Sequence, residues 1–143
     1  MLKSNKTLRK FLNVLIVFVV LGLPLYIGHM NGKKFDSNLL KDSVITNGTI
    51  FDYEHVIKHS PAFKYRFDLD GNTYQGESSN EGNGGAYPAL SSRLIGKSFP
   101  VIASKSDPKT YNKILITPAD FENYKLQYPD SLKWVKIILD NVR

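Results

Sequence analysis

Between Phe11 and Gly28 the chain reads FLNVLIVFVVLGLPLYIG, an apolar run in which Asn13 is the only clearly polar side chain. Wound as a helix, these 18 residues extend about 27 Å, against a bilayer hydrocarbon core of roughly 30 Å. A helix buried in a soluble core keeps a polar stripe, whereas this run is apolar all round. Gly22 and Pro24 do not oppose a membrane helix, because both residue types are tolerated in lipid. The run predicts a membrane anchor over 11–28, with Phe11, Leu15, Val19, Leu23 and Ile27 along it. A cleaved signal peptide is the alternative. Against it, the run is longer than a usual signal core and no small-x-small cleavage site follows, since Tyr26 and Met30 stand where small residues belong.

Charge is distributed around this segment. Lys3, Lys6, Arg9, Lys10, Lys33 and Lys34 are the charged side chains of residues 1–34 and account for the whole net charge of +6. Residues 35–143 hold 13 basic and 13 acidic side chains. Four of the N-terminal cations precede the run, which predicts a cytoplasmic tail at 1–10 and a domain outside the cytoplasm. A neutral domain has no basic excess with which to grip phosphate, so nucleic acid is not an expected partner. The chain has no cysteine, which excludes disulfides, a thiol nucleophile and cysteine-ligated metal.

Residues 29–43 are polar and predict a tether, and the β-rich domain is expected over 44–143. Val44–Tyr53 is strand-like, with Asn47–Gly48 in its middle predicting a bulge or bend. Phe63, Tyr65, Phe67 and Leu69 then alternate with Lys64, Arg66, Asp68 and Asp70. Asp70–Gly71 offers a tight turn and Tyr74–Gln75 the returning strand, so 62–77 reads as a β-hairpin. Residues 78–88 are glycine-rich and predict a loop, and Tyr87–Leu94 a helical turn. Gly96–Ser104 and Lys113–Ile116 read as the fourth and fifth strands, separated by an Asp107–Pro108 turn. Thr117–Pro118 opens a helix reaching about Leu126. The last segment places Leu132, Val135, Leu139 and Val142 on one helical face, capped by Asp130 or Ser131, although Trp134, Ile137 and Ile138 are strand-favouring types. The expected fold is mainly β, with one N-terminal transmembrane helix. Its domain would be a small five-stranded barrel of OB or SH3-like kind, with one or two short C-terminal helices.

Local chemistry is sparse. His55 and His59 have metal-ligand spacing for a helix, but Pro61 and the strand patterns around them favour two exposed loop histidines. Asp68, Asp70 and Asn72 resemble the start of a calcium loop, yet the glycine falls where a hairpin wants it and position twelve is Ser79. Gly82–Gly85 lacks the lysine and flanking elements of a phosphate loop. Asn83, Gly84, Gly85 and Tyr87 remain as a candidate binding loop over a barrel face. Phe63, Tyr65, Phe67, Tyr74 and Trp134 would line either a groove or, more economically, the core. No catalytic, cofactor or metal residues are expected.

Several of these residues form a familiar pattern: Gly48; Tyr65, Phe67, Asp70, Gly71 and Tyr74; Gly96, Lys97, Phe99 and Val101; Asp107, Pro108 and Leu115. Over about 44–117 the chain resembles a broad set of uncharacterised bacterial membrane-tethered β-domains. The resemblance implies a small β-domain beside a membrane anchor and brings no catalytic residues. The expected function is a non-enzymatic envelope protein, bilayer-anchored, whose domain contacts a protein or envelope component. A small-ligand or carbohydrate-binding barrel and a hydrolase without a sequence signature are the alternatives.

Overall fold

The computed structural model describes residues 27–54, 61–79 and 86–141. The chain divides into two units, Met1–Asn38 and Leu39–Arg143. Residues 27–41 are helical (α1), so the segment expected as a tether carries helix for most of its length. Most of the expected anchor lies outside the described residues. Of the residues placed along it, Ile27 is described: it is helical and exposed. Among the described residues no helix is long and apolar enough to cross a membrane.

The second unit is built on a five-stranded antiparallel sheet. Its strands are β1 (Ser43–Glu54), β2 (Ala62–Leu69), β3 (Asn72–Ser79), β4 (Ser98–Ser104) and β5 (Asn112–Ile114), in the order β3-β2-β1-β4-β5. β1 is central and hydrogen-bonds to β2 on one side and β4 on the other. The sheet curls until β3 approaches β5, giving a half-barrel. Among the described residues three further α-helices accompany the strands: α2 (Ala86–Leu94) between β3 and β4, and α3 (Pro118–Asn123) and α4 (Lys133–Asn141) after β5.

The alternation read from sequence is the β2–β3 hairpin. Leu69 pairs with Asn72 across a two-residue turn, where Asp70 (φ 51°) and Gly71 (φ 79°) both adopt the positive φ of a type I′ turn. Phe63, Tyr65 and Phe67 are buried on the inner face, and Ile50, Phe99, Val101 and Ile114 join them from the other strands. Each such side chain contributes about 1.5–3 kcal/mol by leaving water. Leu90 and Leu94 of α2 are also fully buried, as is Leu39, which stands in a polar stretch.

Gly48 does not mark the bulge expected of it. The register slips between Ile50 and Asp52, which makes Phe51 the extra residue. Gly48 stays in regular register, opposite Phe67 and Phe99, and is needed for space: a Cβ there would sit 2.6 Å from Val101 Cγ2 and 3.1 Å from the Arg66 carbonyl oxygen.

The loop expected at 78–88 is shorter at both ends, because β3 runs through Ser79 and α2 begins at Ala86. α3 opens as the sequence implies, with Thr117 as N-cap, Pro118 in the first turn and a reciprocal capping box to Asp120. It stops at Asn123 instead of near Leu126. Lys125 takes a left-handed conformation (φ 56°), its amide bonds to the Glu122 carbonyl and the Leu126 amide to the Phe121 carbonyl, closing a Schellman-type end. The C-terminal segment is helical, with Val135 fully buried and Leu132 nearly so. A short 3-10 turn, Asp130–Leu132, precedes α4, and its N-cap is Pro129 without a side-chain hydrogen bond, so neither Asp130 nor Ser131 caps it.

Candidate functional site

With the inner face filled, the aromatics proposed for a groove divide. Phe63, Tyr65 and Phe67 belong to the core, while Tyr74 and Trp134 are half-buried at its margin. Tyr74 stacks on Phe67 with centroids 5.6 Å apart, and Trp134 lies 6.3 Å from Phe99 with Lys97 Nζ over its ring. These five rings do not form one exposed groove.

The side chains that β1, β2 and β3 turn outward form a charged face. Lys64 lies between Asp52 and Glu77 in the pairing, and its ammonium forms an ion pair with Glu54 and a longer contact of 4.0 Å with Asp52. These carboxylates, Glu54 first, hold the Lys64 ammonium above the usual lysine range. One row further on, the Arg66 guanidinium sits 4.7 Å from the centre of the Phe51 ring. The bulge thus has a visible product: the extra residue places an aromatic ring under an exposed arginine. Asp68 closes the face by accepting a hydrogen bond from Thr73 Oγ1. Carboxylates outnumber cations here, with Asp52, Glu54, Asp68 and Glu77 against Lys64 and Arg66. The acidity continues in the chain: residues 35–85 carry 8 acidic and 4 basic side chains, residues 86–143 carry 5 and 9. The neutral total conceals two opposed halves.

The polar clusters elsewhere fasten turns and helix ends. Asp120, 8% exposed, accepts from the amides of Ile116 and Thr117 and from Thr117 Oγ1, which fixes the start of α3. Burial, with a smaller contribution from Asp120, pushes the Tyr128 hydroxyl up to about 12, and this hydroxyl donates 2.7 Å to the Leu132 carbonyl. Ser104 Oγ donates 2.7 Å to Asp42 Oδ1 and accepts from the Asp107 amide, while the Ser106 amide donates 2.8 Å to Asp42 Oδ2. The hydroxyl of Ser104 above all holds the Asp42 carboxyl below its usual range. The partners of Ser104 here are a carboxylate, a hydroxyl and a backbone amide. Tyr53 Oη is buried beside Phe63 without a hydrogen-bond partner, and that burial raises its pKa.

Among the described residues no three histidine, aspartate or glutamate side chains gather as a metal site. His55 and His59 lie outside the described residues, as do Asn83, Gly84 and Gly85 of the candidate loop, while Tyr87 is the second residue of α2. Asp68, Asp70 and Asn72 serve the hairpin: Asp68 binds Thr73 and Asn72 Nδ2 approaches the Asp70 carbonyl. Sequence reading missed the Phe51–Arg66 pair. Its signal was an unpaired aromatic at the slip in strand alternation, which shows only once β1 and β2 are aligned.

These features define a small β-domain with a curled five-stranded sheet, a filled inner face and a charged outer one. No protein-family model, curated protein or solved structure matches the chain.

Proposed function

We propose that this protein is a single-pass, membrane-anchored envelope protein without enzymatic activity, whose β-domain stands outside the cytoplasm and contacts a protein or another envelope component. The observation that carries the contact is the outer face of β1–β2–β3, where Arg66 over Phe51 is set among carboxylates. Arginine and aromatic residues dominate the energetics of protein contacts, and an acidic surround selects a partner with a basic surface. The apolar run at 11–28 and its basic flank support the anchor. The resemblance to uncharacterised bacterial membrane-tethered β-domains points the same way.

The barrel is of OB type in this reading. The strand order, the helix between β3 and β4 and the approach of β3 to β5 support it over an SH3-like arrangement. OB domains commonly use the face of strands 2 and 3 for binding, which is an analogy of fold and favours the same surface.

Two measurements test this. A reporter active only outside the cytoplasm, fused after Arg143, should be active on a membrane-bound chain with an intact N-terminus. A silent reporter on intact chain rejects the orientation. A photo-crosslinking residue at Gln75, exposed beside Arg66, should give a discrete adduct in cells that Arg66→Glu abolishes. An adduct indifferent to Arg66→Glu rejects this face as the contact.

A further inference from the structure

The place where the chain enters the β-domain has its own surface chemistry. Asp42, immediately before β1, is fastened to the β4–β5 turn at three points: Ser104 Oγ and the Ser106 amide on its carboxylate, and the Lys105 amide on its carbonyl oxygen at 3.2 Å. Residues 40–45 and the turn beginning at Lys105 are therefore neighbours. Lys41, Lys105 and Lys109 are exposed at this joint. Two large apolar side chains are exposed with them, Leu40 at 49% and Ile45 at 53%.

The carboxylates of the clasp and of the β4–β5 turn are already engaged. Both oxygens of Asp42 accept hydrogen bonds, and Asp107 Oδ1 accepts from the Thr110 amide at 3.1 Å. Among the described residues no ion pair engages Lys41, Lys105 or Lys109. Three unpaired ammonium groups beside two exposed aliphatic side chains are the chemistry of a bilayer interface, where lysines meet headgroup phosphates and apolar side chains enter the acyl boundary. The carboxylates at the far end of the outer face, Asp52, Glu54 and Glu77, would be repelled by the same surface, which adds a preferred orientation.

We infer that this collar of Leu40, Lys41, Ile45, Lys105 and Lys109 docks on the anionic phospholipid headgroups of the bilayer that holds the anchor. This rests on the membrane-anchored reading.

Lysine footprinting by mass spectrometry tests the inference on the full-length protein in nanodiscs of phosphatidylcholine alone or mixed with phosphatidylglycerol. Labelling of Lys105 and Lys109 should fall about tenfold in the anionic discs, with labelling of Lys64 unchanged. High salt should restore it. Ile45→Ser, a change at an exposed position, should weaken the protection without altering the fold. Equal labelling in the two lipids overturns the docking and leaves the anchor standing. A chain that does not enter nanodiscs overturns the anchored reading, and the docking with it.

Discussion

Tyr65 Oη donates a 2.7 Å hydrogen bond to Asn112 Oδ1, joining β2 to β5 across the open side of the half-barrel. The bond passes against Gly76, where an added Cβ would overlap both Asn112 Oδ1 and Tyr65 Oη. Asn112 Nδ2 is engaged in turn by the carbonyls of Pro108 and Lys109. One glycine, one tyrosine and one asparagine thus bring β3, β2 and β5 together where no continuous ladder joins the sheet edges. The tyrosine covering a cross-strand glycine is a known device of curved sheets.

Gly76→Ala should therefore cost about 3 kcal/mol, the upper part of the range for overpacking. Tyr65→Phe should cost about 1–2 kcal/mol, because Asn112 Oδ1 loses its donor while partly buried. Urea denaturation of the two variants and their combination checks both values. The double variant should be less destabilised than the sum, since removing the hydroxyl clears part of the overlap.

At Gly48 the obstruction is a side chain, so relief is available. Gly48→Ala should destabilise by about 2–3 kcal/mol through its contact with Val101. Val101 is fully buried, and Val101→Ala alone should cost about 2 kcal/mol. Together they should cost clearly less than the sum, by thermal or chemical denaturation. Strict additivity would show that the Arg66 carbonyl, and not Val101, sets the limit.

A stabilising change is expected at Lys125. Its left-handed backbone carries a cost that glycine avoids, and the side chain is exposed. Lys125→Gly should raise stability by about 0.5–1 kcal/mol, read as a higher melting temperature with α3 intact by circular dichroism.

Tyr128 gives the alkaline limit. Its folded pKa of about 12 lies above the ordinary 10.0, so its stabilising contribution is fully present below 10.0 and is lost as pH rises through 12. Absorbance titration of the phenolates should show a late-ionising tyrosine that disappears in Tyr128→Phe. That variant should lose about 1 kcal/mol at neutral pH with the bond to Leu132.

Local sequence carried the parts of this fold whose causes are local. The β2–β3 hairpin follows from alternation and the positive φ of Asp70–Gly71, and α3 from Thr117, Pro118 and Asp120. Features set by distant residues were not legible. Gly48 is spared a side chain because Val101 occupies its space, and the bulge belongs to Phe51, where the pairing with β2 slips. Leu39 is buried although the stretch around it is mostly polar. The candidate face needed the same knowledge: the charges of β2 were visible, but Phe51 joins Arg66 only through the register. The two charge-opposed halves were present in the sequence and hidden by their zero sum.

The central position of β1 has a mechanical corollary. A pull arriving through residue 42 would first meet the Asp42 clasp and then run along a strand hydrogen-bonded on both edges, to β2 and β4. Such a strand is loaded in shear, so its bonds resist together instead of opening one after another. Under such a pull the joint is the fuse and the sheet behind it is the part built to hold.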